Sequence, residues 1–126
     1  MPDPAVPLRA LIDAFSAQDE TAMRSALTEE MTAYVTNAEG GVDQVRGRDA
    51  YLPRLLALKA PTLSVRETQS VTVAPDQALL MVEIRAERKG RSLHNFAAFL
   101  GTVTGDQISK LWMVEALPAS SDQFWQ

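Results

Sequence analysis

The sequence contains no cysteine and a single histidine, His94. The first absence excludes disulfide frameworks, thiolate zinc sites, iron-sulfur clusters and cysteine nucleophiles. The second excludes metal sites built from several histidines and leaves at most one imidazole for a catalytic role. Basic residues are the minority, 12 Lys and Arg against 16 Asp and Glu, for a formal net charge of -4. Phosphate neutralisation needs a clustered excess of Lys and Arg, so no nucleic-acid partner is expected. Long apolar runs are also missing. Stretches such as Phe96 to Leu100 are far too short to cross a bilayer, and Met1 to Leu8 has neither the basic nor the apolar region of a secretion signal. The expectation is a soluble, cytoplasmic chain without membrane association, and the lack of cysteine fits that compartment.

What is present suits one domain over residues 1–126. At this length, with 46% hydrophobic residues, a chain can bury a core without disulfides or a structural metal. Asp3-Pro4 opens a helix on whose buried face Leu8, Leu11, Ile12 and Phe15 recur. A second short helix follows the candidate cap Asp19, with Ala22, Met23, Ala26 and Leu27 as its apolar side. Met31 to Asn37, rich in Thr, Val and Tyr, reads as a strand, and Ala38 to Gly47 as a glycine-containing loop. A third helix follows Asp49, and Pro53 places the start of its regular part near Leu52. Beyond Pro61 lie four strand-like segments, Leu63 to Ala74, Gln77 to Arg88, Arg91 to Thr104 and Gln107 to Ala116. The turns between them, Pro75-Asp76, Lys89-Gly90 and Gly105-Asp106, are short enough to dictate antiparallel hairpins. The fold class is α+β, with helices packed on one face of a curved, mostly antiparallel sheet.

This ordered set resembles the nuclear transport factor 2-like superfamily, in particular its SnoaL-like polyketide cyclase branch, related to the ketosteroid isomerases. The resemblance rests on Phe15-Ser16-Ala17-Gln18-Asp19 at the end of the first helix and Gly47-Arg48-Asp49-Ala50-Tyr51 at the entry to the third. It rests equally on the Thr104-Gly105-Asp106-Gln107-Ile108 hairpin and the closing Asp122-Gln123-Phe124-Trp125. It implies a cone-shaped α+β barrel, an apolar pocket between sheet and helices, and a homodimer formed through the sheet. No organic cofactor and no metal is implied. Members include cyclases, isomerases, epoxide hydrolases, dehydratases and proteins that only bind or scaffold, so the fold does not select the function.

The residues themselves suggest a site. With two-residue turns at Lys89-Gly90 and Gly105-Asp106, Arg85 faces His94, Glu83 faces Phe96, and Phe96 faces Glu115. That register gathers Glu83, Arg85, His94 and Glu115 on one face, with Met81, Ala98, Leu111 and Met113 around them. A carboxylate in apolar surroundings can act as base or acid while an imidazole or guanidinium orients it or polarises a carbonyl. Glu83 or Glu115 is then the base, His94 the proton partner, and Arg85 or Tyr34 the polarising donor. The plainer reading makes Glu83, Arg85 and Glu87 the solvated or dimer-facing side of an amphipathic strand. The opposite face carries Leu80, Val82, Ile84, Ala97, Phe99, Trp112 and the amide of Asn95. A bulge at either turn would bring Asn95 rather than His94 into the pocket, so the two are alternatives. Tyr34, Met81, Asn95, Phe96, Trp112 and Met113 are the candidate ligand-lining residues.

The resemblance also implies a difference. In the superfamily's epoxide hydrolases an aspartate lies on the last strand, five places after the Ile that follows the hairpin glycine. Here that place is Met113, which argues against epoxide hydrolysis by that route. Near the end of the first strand, where the isomerases hold their base, there is no clear acid, and Tyr34 and Asn37 are the polar residues available. The expected function is binding of an apolar, carbonyl-bearing or cyclic small molecule, with isomerase, cyclase or dehydratase chemistry as the enzymatic form. The alternatives are a non-catalytic ligand-binding or interaction module, or a structural dimer.

Overall fold

A computed structural model describes residues 3–126 of the chain. Asp3 Oδ1 accepts a hydrogen bond from the Ala5 N–H at 2.9 Å, and α1 (Ala5–Ala17) follows with Leu8, Leu11 and Ile12 buried. Asp19 caps α2 (Glu20–Ser25), its Oδ1 accepting from the Ala22 N–H at 3.1 Å. The second helix is shorter than its apolar residues suggest: Ala26 ends it and Leu27 already begins β1 (Leu27–Thr36). The stretch expected to be loop contains β2 (Val42–Arg46), in which only Val45 is buried. Asn37 shapes the turn before it, its Oδ1 accepting from the N–H groups of Glu39 and Gly41.

Gly47, at φ 91°, turns the chain from β2 into α3 (Arg48–Leu56). The helix starts four residues earlier than Pro53 suggested. Pro53 sits in the second turn, where only the bond to the Asp49 carbonyl is lost, and burial of Tyr51, Leu52 and Leu55 outweighs it. Four long strands follow: β3 (Ser64–Ala74), β4 (Gln77–Arg88), β5 (Arg91–Thr104) and β6 (Gln107–Glu115). A last helix, α4 (Pro118–Trp125), was not apparent in the sequence because Phe124 is its one buried apolar residue.

The six strands form one sheet in the order β2-β1-β6-β5-β4-β3, antiparallel except for β1 beside β6. The architecture is α+β as expected, with the sheet open between its edges β2 and β3 rather than closed on itself. Helices cover one face, where Ala78, Leu80, Val82, Ile84 and Ala86 of β4 meet Leu8, Leu11 and Ile12. Helix and sheet are close at Gly101 of β5, where a Cβ would stand 2.6 Å from Leu8 Cδ2. No helix among the described residues is long and apolar enough to cross a membrane.

The register of β4 on β5 is the one the Lys89-Gly90 turn dictates: Glu83 lies opposite Phe96 and Arg85 opposite His94. The register of β5 on β6 is not. Val103 pairs with Ile108 but Thr102 pairs with Lys110, so Ser109 is an extra residue in β6. The Ser109 hydroxyl donates to the Thr102 carbonyl at 3.2 Å and accepts from Thr104 Oγ1 at 3.0 Å, which stabilises this bulge. Beyond it every β6 side chain changes face. Glu115 pairs with Ala97 and Met113 with Phe99 on the helix-covered face, and Trp112 pairs with Leu100 on the open one.

Candidate functional site

The bulge divides the side chains that the simple hairpin register had gathered. Glu83, Arg85 and His94 stay on the open face, while Glu115 lies with Asn95 on the helix-covered face. Glu115, Leu111 and Met113 therefore leave the Glu83 group, and Trp112 joins it.

On the helix-covered face Asn95 is fully buried and has every polar group paired. Its Nδ2 donates to Glu115 Oε2 at 2.9 Å and to the Leu117 carbonyl at 3.1 Å. Its Oδ1 accepts from the N–H groups of Phe96 at 2.9 Å and Leu117 at 3.0 Å. One amide thus fixes both the carboxyl of Glu115 and the junction from which α4 departs. Arg91 Nη1 holds the far part of that helix, donating to the Gln123 carbonyl at 2.6 Å.

A cavity of about 50 Å³ lies between the sheet and α1, α3 and α4, walled by Leu11, Phe15, Leu55, Ile84, Phe99 and Trp125 among others. An open vestibule of about 420 Å³ adjoins it, and both are lined by Tyr51, Met113, Glu115 and Ser121. Asn37, Glu39, Asp43, Arg54 and Asp122 add a polar rim to the vestibule. Burial pushes the pKa of Glu115 up, against a smaller opposing pull from a hydrogen bond with the Ser121 side chain. Tyr51 is only 1% exposed, and its hydroxyl has no hydrogen-bond partner in the protein. Burial raises its pKa as well, with the positive charge of Arg54 acting the other way. In the rim, Arg54 Nη2 donates to Asp43 Oδ2 at 3.1 Å and Asn37 Nδ2 to Asp43 Oδ1 at 3.0 Å. These two contacts hold the Asp43 carboxyl below its usual range.

The open face has a different character. Glu83 accepts from Arg66 Nη2 at 2.7 Å and from Arg85 Nη2 at 3.4 Å, and its Oε2 stands 2.7 Å from His94 Nε2. The hydrogen bonds from Arg66 and then His94 bring its pKa down to about 2, the opposite of Glu115. Phe96 lies against His94 with ring centroids 5.1 Å apart, and Met81 and Phe96 are both exposed. Tyr34 stacks on Trp112 at 4.2 Å, with Lys110 Nζ 5.5 Å from the tyrosine ring centre. Of the residues selected from the sequence, Glu115, Asn95 and Met113 are on the helix-covered side. Glu83, Arg85, His94, Tyr34, Met81, Phe96 and Trp112 are on the other.

The sequence pattern missed Tyr51, Arg54, Asp43 and Ser121. Tyr51 sits among leucines at helical spacing and reads as core; an unpaired hydroxyl is visible only once its neighbours are placed. Among the described residues no three His, Asp or Glu side chains are grouped to hold a metal ion.

The family model described as the SnoaL-like domain matches residues 8–111. The chain belongs to the SnoaL-like domain family. No curated protein sequence matches this SnoaL-like chain. Solved structures match it over nearly its whole length at low identity. Bal32a, from a soil-derived mobile gene cassette, superposes with a TM-score of 0.83 at 15% identity, covering 98% of this chain and 96% of its own. A putative SnoaL-like polyketide cyclase from Jannaschia sp. CCS1 gives 0.77 at 16% identity, with coverage of 97% and 91%. An LEH-like epoxide hydrolase from M. tuberculosis gives 0.76 at 12%, with coverage of 96% and 89%. At these identities the likeness is one of fold. The family match ends at Leu111, before Met113, Glu115 and α4, so the candidate acid of this SnoaL-like domain lies outside the matched segment.

Proposed function

We propose that this SnoaL-like domain binds a small carbonyl-bearing molecule in the cavity and vestibule, and that Glu115 moves a proton at the carbon next to the carbonyl. The unpaired, fully buried hydroxyl of Tyr51 carries the reading. A buried donor left without a protein partner costs about 1–3 kcal/mol, and a ligand oxygen would relieve that cost. Burial raises the pKa of Glu115 and so makes it a stronger base than an exposed carboxylate. Tyr51 donates to the carbonyl oxygen and stabilises the charge that develops there as the α-proton leaves. Asn95 is a positioning residue that holds Glu115 Oε2. Isomerisation, cyclisation and dehydration all begin with such a step.

Glu83, Arg85 and His94 have no part in this chemistry. Their face, with Met81 and Phe96 exposed, is the surface through which the chain would pair with a second copy, and a cytoplasmic setting suits the absence of cysteine. Non-catalytic binding is the second reading. It is favoured by Met113, which lines the cavity where the epoxide hydrolases of the superfamily carry an acid.

The test combines thermal shift with proton exchange. Small ketones should raise the melting temperature, and in D2O the wild type should exchange their α-protons faster than buffer does. Glu115→Gln should lower that exchange by about 100-fold or more while binding persists. Tyr51→Phe should lower it by about 100-fold. Binding without exchange leaves the non-catalytic reading, and no thermal shift with any ketone overturns both.

A further inference from the structure

We propose that the molecule bound at this site is a cationic amphiphile: a small apolar or carbonyl end in the inner cavity, and a protonated amine in the vestibule. The proposal rests on the ligand-binding reading above and adds the charge of the ligand.

Size fixes the first half. A cavity of about 50 Å³ has room for only a few non-hydrogen atoms, so the rest of any ligand must extend into the vestibule of about 420 Å³. Tyr51 ties the two spaces together, since it lines both and its buried hydroxyl has no partner.

Charge fixes the second half. Glu39, Asp43 and Asp122 line the vestibule, and Arg54 is its one cationic side chain among the described residues. That guanidinium is already engaged by Asp43 at 3.1 Å. Glu39 and Asp122 form no ion pair among the described residues; Asp122 Oδ2 accepts only from the neutral Gln126 amide, at 3.3 Å. An incoming carboxylate would meet two uncompensated negative charges and an arginine already paired. An ammonium group would complete the set. A cleft lined by one sign of charge concentrates ligands of the other, and the effect weakens with salt.

The experiment uses the full chain and one matched series, 4-phenylbutan-2-one carrying aminomethyl, hydroxymethyl or carboxyl at the para position, titrated by calorimetry at low salt and at about 0.5 M NaCl. At low salt the amine should bind about tenfold more tightly than the alcohol, and the acid about tenfold more weakly. Salt should compress both gaps. The Glu39→Gln/Asp122→Asn double variant should remove most of the amine's advantage over the alcohol. Equal or tighter binding of the acid overturns the proposal, as does an amine preference that survives both high salt and the double variant. In either case the ligand-binding reading still stands, because the series binds. If no member binds, that reading fails and the charge proposal fails with it.

Discussion

Asn95 is the residue whose removal should cost the fold most for its size. Asn95→Ala deletes four hydrogen bonds at once, to Glu115, Phe96 and both backbone groups of Leu117. Each is worth about 0.5–1.5 kcal/mol net. Leu117 is 50% exposed, so water can re-pair its N–H and carbonyl, while the carboxyl of Glu115 is less accessible. The expected loss is therefore in the lower half of the sum, about 2–4 kcal/mol. For a chain of this length that corresponds to a fall in melting temperature of about 10 °C. The loss should also be uneven. Leu117 starts α4, so amide exchange in Pro118–Trp125 should rise more than exchange in β4 and β5. Asn95→Asp keeps the shape but places a second carboxyl against Glu115. The shared proton then raises the apparent pKa of the pair, and the variant should lose stability as pH rises, more steeply than wild type. Urea denaturation of the three proteins at several pH values, with hydrogen exchange read by mass spectrometry, measures all of this. A loss below about 1 kcal/mol for Asn95→Ala, or a rise in exchange spread evenly over the sheet and α4, would refute the clamp.

Glu115 itself should tilt the pH dependence of stability. Its folded pKa is raised above the ordinary 4.5, so the native state holds the proton longer, and stability falls as pH climbs from that value through the raised one. Glu115→Gln should flatten that slope and be the more stable protein at neutral pH; parallel curves would count against a buried carboxyl. Glu83 should behave in the opposite sense. Its contribution is present above 4.5 and is lost as pH falls towards about 2. The carboxyl carbon shift of Glu83 should titrate near that lower value and move up in Arg66→Gln, and an unmoved midpoint would show that Arg66 is not its main partner. Gly101→Ala places a Cβ 2.6 Å from Leu8 Cδ2 and should cost about 1–3 kcal/mol by overpacking. In a double-mutant cycle, adding Leu8→Ala should cost less in the Gly101→Ala background than in wild type; simple additivity would exclude a steric cause.

Much of the fold was legible because its punctuation is strong. Pro75-Asp76, Lys89-Gly90 and Gly105-Asp106 bound β3 to β6 within a residue, and the alternation of β4 grouped Leu80, Val82 and Ile84 on one apolar face, which the structure shows to be the buried one. What escaped lacked a local signal. In β2 only Val45 is buried, so no alternation marks a strand, and in α4 only Phe124 is, so no period marks a helix. Ala26 and Leu27 are apolar in either element, and the boundary between α2 and β1 is set by Ile108, whose N–H donates to the Ala26 carbonyl at 2.8 Å. The candidate site was half legible. Glu115, Asn95 and Met113 were named from the sequence, but the side on which Glu115 and Met113 lie depends on the Ser109 bulge. Tyr51 was hidden by its leucine neighbours.

The bulge matters because it gives two glutamates opposite chemistries. Without the extra residue at Ser109, Glu115 would face outward opposite Phe96, on the same side of the sheet as Glu83 but with β5 between them. There it would be open to water, without the burial that raises its pKa. With it, Glu115 meets one neutral amide and an apolar cavity, and its pKa moves up while that of Glu83 moves down. The same side chain is an acid–base candidate in one place and a solvated carboxylate in the other, through a shift of one position along β6. Reactivity in this domain is therefore set by strand register before it is set by residue type. Deleting Ser109 would test that order directly. It should return Trp112 to the helix-covered side and Glu115 to the open side, abolish the upward shift of Glu115, and leave the Glu83 cluster, which depends only on β3, β4 and β5, unchanged.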